Sequence, residues 1–295
     1  MLASLSPAGA AVAKRLLHAL LLLALVLPAG CRAPWNEAKA QKARQDATAI
    51  LHSLREPDML RYRALTLPPV ERQRLQREWP HIRQRLALDA SEQASFDKLL
   101  LRFTEPQAEV HLQRDLNAKI KPLKSEIDSK WPLMQSSLTL LLQGWIETNS
   151  QLSVSEKAHG KALAKAIVEQ MPAEWLQDKA LRARAFEQMV KIARDSGIRD
   201  YRHYSSLGYV DFHRRMSVFL DGLKDLGKIY GLDWDAGQAR LQVTVVKQSG
   251  NTATVRIRYP LGKKWVEFPM DMIERNGQWF DASATALLQD TLAEP

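Results

Sequence analysis

The chain has 295 residues, with 42 Lys plus Arg against 33 Asp plus Glu for a formal charge of +9, and one cysteine. A single cysteine excludes intrachain disulfides, so the fold rests on packing alone, and the length suffices for one large domain or two small ones. The basic excess is dispersed, with no run of five like charges; this reads as a solvated helical surface, and no nucleic-acid partner is expected.

Lys14 and Arg15 precede twelve mostly apolar residues, Leu16 to Leu27, and the small residues Ala29 and Gly30 follow. That is the order of a secretory signal. Twelve residues are too few to span a bilayer, which takes roughly 20. Directly after the small pair comes Cys31, and the segment LPAGC resembles the lipobox of bacterial lipoproteins, with Pro28 standing where that family prefers Leu. The resemblance implies that residues 1–30 are removed and that Cys31 carries fatty-acyl (palmitate-type) chains holding the protein to the lipid bilayer. Arg32 rather than Asp after the cysteine resembles lipoproteins sent to the outer membrane, so the expected location is the cell envelope, facing the periplasm. A plain secretory signal cut near Ala29 is the alternative, with Cys31 an ordinary thiol. Loss of Lys14 and Arg15 takes the formal charge from +9 to +7.

Residues 31–40 form the lipidated cysteine and a tether, and residues 41–235 a helical body. Ala43, Ala47, Ile50, Leu51 and Leu54 recur at helical spacing and stop at Glu56-Pro57. A short segment, Met59 to Leu65, follows. Pro69 suits the first turn of the next helix, which carries Leu75, Trp79 and Ile82, with Pro80 expected to bend or break it. Helix restarts at Asp89-Ala90-Ser91-Glu92, and Thr104 is the expected N-cap of another, with Pro106 in its first turn. Trp79-Pro80 and Trp131-Pro132 each precede a more apolar segment, but two matches do not make a repeat. The stretch LMQSSLTLLLQGWI, Leu133 to Ile146, is the most apolar after the signal and predicts a central buried helix. Ser153-Val154-Ser155-Glu156 has the form of a capping box, and Glu174 to Arg194 reads as one amphipathic helix closed by Gly197.

Residues 198–235 collect Tyr201, Tyr204, Tyr209, Phe212, Phe219, Tyr230 and Trp234 with interleaved Arg199, Arg202, Arg214 and Arg215. From Leu241 the period changes to two. Turns at Ser249-Gly250-Asn251, Pro260 to Lys263 and Asn276-Gly277 divide residues 240–283 into four strands. A lone meander needs cover on its apolar face, so it is expected to pack on the helices, ahead of a tail at 284–295. The fold class is α+β, a mainly helical body followed by a small four-stranded antiparallel meander. Helices and a meander closing on NGQWF are similar to the carboxyl-terminal half of nuclear-transport-factor-like folds, a likeness that implies a fold and no activity.

No nucleophile elbow, phosphate loop or dinucleotide fingerprint is present, and no two histidines stand three or four residues apart. Asp233-Trp234-Asp235-Ala236-Gly237 has its glycine one place early for a calcium loop. No catalytic residue, metal or cofactor is therefore expected. The best candidate surface for an envelope protein or small ligand is Tyr201, Arg202, His203, Tyr204 and His213, where rings and guanidinium groups interleave. A non-enzymatic binding protein is the leading expectation. The second is a carrier or enzyme with a pocket between the sheet and the preceding helices, using His203 or His213 with a nearby Asp for proton transfer.

Overall fold

The computed structural model describes residues 35–293, apart from the side chains at 124, 125 and 128; the expected signal, lipobox and Cys31 lie outside this range. Thirteen described helices and one four-stranded sheet follow in order, giving the α+β architecture. No described helix is long and apolar enough to cross a membrane.

Helix α1 (Glu37–His52) starts where the Asn36 side chain accepts the Lys39 N–H, satisfying one of the four free donors of a first turn. Its buried face is Ala40, Ala43, Ala47, Ile50 and Leu51; the alanines let the backbone lie close to the sheet. Helix α2 (Met59–Thr66) is capped by Asp58. Helix α3 (Pro69–Arg85) runs through Pro80 without ending. Proline removes one backbone donor there, and the preceding Trp79 holds the helix by donating from its indole to the Leu207 carbonyl at 3.0 Å.

Helix α4 (Ala90–Thr104) opens with a reciprocal Asp89–Glu92 capping box. Helix α5 (Ala108–Ile120) begins later than the sequence led us to expect: Thr104 belongs to α4, donating to the Leu100 carbonyl, and Gln107 makes the entry with φ of 57°. After a 3₁₀ turn (Lys121–Leu123) come α6 (Lys124–Thr148) and α7 (Val154–Gln170), the latter with the expected Ser153–Glu156 capping box. The single helix expected from Glu174 is two, α8 (Glu174–Gln177) and α9 (Lys179–Asp195). Asp178 divides them because its carboxylate accepts from the N–H groups of Ala180 and Leu181, which favours a fresh helix start over continuation. Short α10 (Tyr201–Ser206), long α11 (Tyr209–Ile229) and short α12 (Trp234–Gln238) complete the body.

Strands β1 (Gln242–Ser249), β2 (Thr252–Leu261), β3 (Lys264–Arg275) and β4 (Gln278–Asp281) pair antiparallel in sequence order, and α13 (Ala282–Ala293) follows. Asn276 and Gly277, at φ of 53° and 78°, make the tight β3–β4 turn, where both central residues must be left-handed. Val255, Ile257 and Tyr259 of β2 and Val266, Phe268, Met270 and Met272 of β3 point to one face and are buried against α1 and α7. Each such side chain stabilises by about 1.5–3 kcal/mol. The opposite face is polar, with Arg256 and Arg258 flanking Glu267.

The helix over Leu133 to Ile146 is not central. It is the second half of α6, which packs chiefly along the outside of α7, whose other side lies on β3. Gln135 donates to the Val168 and Met171 carbonyls, and the Trp131 indole to Met171. These polar anchors turn toward α7 and leave Leu133, Leu140, Leu141 and Trp145 facing outward, 67%, 70%, 70% and 65% exposed.

Candidate functional site

Arg83 follows Trp79 by one helical turn on α3, so both side chains project from one face. Opposite them stands α10, started by Asp200, whose carboxylate accepts the His203 N–H at 2.6 Å. Between the two helices and the start of α4 lies a cleft of about 510 Å³. Trp79 and Tyr201 supply its rings, Arg83 and Arg202 its charges, and Gln84 and Ser205 are among its polar groups; no carboxylate of the described residues lines it.

Arg83 is positioned by what it touches. Its guanidinium lies 4.3 Å from the Tyr204 ring centroid, 5.1 Å from Phe212 and 5.8 Å from Trp79, and donates to the Tyr204 carbonyl at 2.9 Å. Its Nε is buried without a partner among the described residues. The cation is thus stacked on rings and paired with no described acid. Arg202 is exposed and has no ion pair among the described residues.

Of the five sequence candidates, the fold brings Tyr201, Arg202 and Tyr204 to this place. Tyr201 is buried; its hydroxyl accepts the Leu88 N–H and its own N–H reaches Asp97, so it shapes the cleft wall. Tyr204 is the platform under Arg83. His203 turns back to its own segment, its Nδ1 accepting the Arg199 N–H at 3.3 Å. His213 lies inside the body against Trp79, Tyr209 and Phe212, with Nδ1 donating to the Tyr209 carbonyl at 2.7 Å. Burial pushes its pKa down to about 4, so it is a neutral packing residue at ordinary pH. Sequence reading missed Trp79 and Arg83, which stand over 100 positions away from α10. The only signal for them was the Trp-Pro pair.

A second polar assembly ties the sheet to α7 and α2. The buried Asp281 carboxylate accepts from Ser155 and Ser283 hydroxyls and from the Ser283 and Ala284 N–H groups. Burial raises its pKa despite those bonds. Glu156 takes the Ser153 N–H and lies 3.4 Å from both Tyr62 Oη and an Arg63 nitrogen. Nearby, His159 Nε2 is 2.6 Å from the Tyr259 hydroxyl, its ring stacked on Phe268 at 4.3 Å, and burial lowers its pKa to about 4. These groups satisfy one another, and their role is to hold α7, α13 and the sheet together. Among the described residues no cluster of three or more His, Cys, Asp or Glu is placed to bind a metal. No protein-family model, curated protein or solved structure matches the chain, so the cleft is read from its own chemistry.

Proposed function

We propose that the protein is a lipid-anchored envelope protein, held by acylated Cys31 and facing the periplasm, that binds an anionic ligand or an anionic group of a partner in the cleft between α3 and α10 without transforming it. The observation that carries the binding reading is a concavity lined by two guanidinium groups and two aromatic rings, with no carboxylate among the described residues that line it. An anion gains charge-assisted hydrogen bonds from Arg83 and Arg202, while Trp79 and Tyr201 accept an attached planar or apolar group. The envelope reading rests on LPAGC and the apolar segment before it. The space between the sheet and the helices is filled by Val255, Ile257, Tyr259 and Phe268, each at most 3% exposed, which favours the cleft over a pocket at the sheet.

Trp79 is the natural reporter. Titration with phenyl phosphate should give saturable quenching of tryptophan fluorescence that benzylamine does not, and Arg83→Met and Arg202→Met should each weaken it about tenfold or more, as loss of a charged hydrogen bond implies. Equal responses to the anion and the amine, or unchanged binding in both variants, would remove the cleft from consideration. Mass spectrometry of the mature amino terminus, wild type against Cys31→Ser, tests the anchor separately; an unmodified terminus cut near Ala29 would overturn it.

A further inference from the structure

Helix α6 carries sixteen consecutive residues, Trp131 to Ile146, without a charged side chain. In a chain this rich in charge, such a run is expected inside the body. Instead, Leu133, Leu140, Leu141 and Trp145 are about two-thirds exposed or more, and α6 has α7 as its chief neighbour.

The outward face has an internal order. Leu133, Ser137, Leu140 and Gly144 recur at spacings of four, three and four, the seam of a paired helix. Along that seam large and small residues alternate. Lay two such helices antiparallel about a two-fold axis passing between positions 138 and 139. Leu133 of one copy then comes level with Gly144 of the other, and Leu140 with Ser137, so each leucine meets a notch. A two-fold interface requires this reciprocity, in which residue i meets j and j meets i. Lys130 and Glu147, which come level across the pair, are each already ion-paired within the protomer, to Glu126 at 3.0 Å and to Lys161 at 2.6 Å, so neither end of the seam presents an unpaired charge to a second copy. Met134 and Trp145 lie on the same flank of the seam and cover its side.

The geometry points to α6 as a self-association surface, pairing antiparallel with α6 of a second copy of this chain. The exposed apolar side chains of Leu133, Leu140, Leu141 and Trp145 offer about 500 Å² per copy, taking roughly 200 Å² for each large side chain. Two copies together bury about 1,000 Å², the low end for specific interfaces, so the dimer is reversible on dilution. A bilayer surface fits this face less well: lipid rewards a continuous apolar arc with cationic flanks, whereas the centre of this arc holds Ser137 and Gly144, and the charges at its two ends, Lys130 and Glu147, are paired within the protomer with Glu126 and Lys161.

Gly144 gives a clean test, because a Cβ added there meets nothing within 4 Å of the protomer and leucine is a better helix former than glycine. The chain from residue 32 onward, which contains every described element and its own core, is studied by sedimentation equilibrium over a hundredfold concentration range. Expected is a concentration-dependent monomer–dimer equilibrium in the wild type, and monomer throughout for Gly144→Leu with an unchanged helical spectrum. Cys31 is absent from this chain, so Ser137→Cys/Leu140→Cys carries the only thiols and should cross-link to dimers with copper–phenanthroline as oxidant. A wild type that is monomeric at every concentration, a dimer indifferent to Gly144→Leu, or a monomer captured by phosphatidylglycerol vesicles through Leu140 and Leu141 would each overturn the proposal. None of these outcomes depends on the cleft or on Cys31.

Discussion

Acid should weaken this fold through two buried imidazoles. His213 and His159 both have pKa values lowered to about 4 by burial, against about 6.5 in an unfolded chain. Between those values the unfolded state binds more protons than the native state, so stability falls as pH falls. The contribution is fully present above pH 6.5 and is lost progressively toward pH 4. At pH 4.5 the loss is about 2.5 kcal/mol per histidine, and about 5 for the two, a large fraction of the 5–15 kcal/mol typical of a domain. Asp281 acts in the opposite sense: burial raises its pKa, so its native form gains protons first and offsets part of the loss. The comparison therefore needs variants in which Asp281 is common. His213→Asn keeps a donor for the Tyr209 carbonyl, and His159→Gln keeps a polar partner for Tyr259. Urea unfolding at pH 7.0 and 4.5 should show each variant losing about 2.5 kcal/mol less than wild type between the two pH values, whatever its fixed packing cost. Equal losses in wild type and both variants would refute the reasoning.

Asp281→Ala should cost about 2 kcal/mol in urea melts, since it removes the cap of α13 and one of the partners of the buried Ser155 hydroxyl, which keeps Ser283 at 2.9 Å; a loss under 1 kcal/mol contradicts the network. Gly237→Ala places a Cβ 2.1 Å from the Pro260 carbonyl oxygen. Backbone cannot yield as a side-chain tip does, so a loss of about 2–3 kcal/mol is expected, read as a lowered thermal midpoint. Asp235→Ala leaves Lys224, which is buried, 2.7 Å from Asp235 and bonded to the Arg55 carbonyl, without its counter-charge. About 3 kcal/mol should be lost, with Lys224→Met/Asp235→Ala recovering part of it; a double variant weaker than the single would contradict that.

The sheet was legible almost residue by residue, because alternation and turn chemistry are local. Val255, Ile257 and Tyr259 declare their face two residues at a time, and Asn276-Gly277 permits one kind of turn. Caps read equally well where a box closes on itself, as at Ser153–Glu156. Helix ends set by a single side chain were harder: Asp178 looks like any solvated acid until its carboxylate is seen to take two backbone donors. Two prolines ended no helix here, for the converse reason. Pro80 and Pro132 sit inside α3 and α6, where each preceding tryptophan donates its indole N–H to a carbonyl of another segment and so offsets the missing backbone bond.

One larger misreading and one incomplete reading share a cause, which is that composition reports how apolar a segment is and not what stands beside it. Leu133 to Ile146 is apolar enough for a core, yet both faces of the layer it belongs to are decided elsewhere: β3 occupies the inner side of α7, and Gln135 and Trp131 claim the contact with its outer side. The leucines are left over, and their alternation with Ser137 and Gly144 becomes informative only once exposure is known. The cleft shows the same limit from the opposite direction. Tyr201 and Arg202 drew notice because rings and cations are dense around them, but that density is mostly core, as His213 and Tyr209 demonstrate. What makes a site of the remainder is Arg83, an ordinary arginine on a charged helix until Tyr204 and Phe212 fold over it. A cation held between rings and given no acid among the described residues is a property of juxtaposition, and residues 83 and 204 acquire it only when α10 is carried back onto α3.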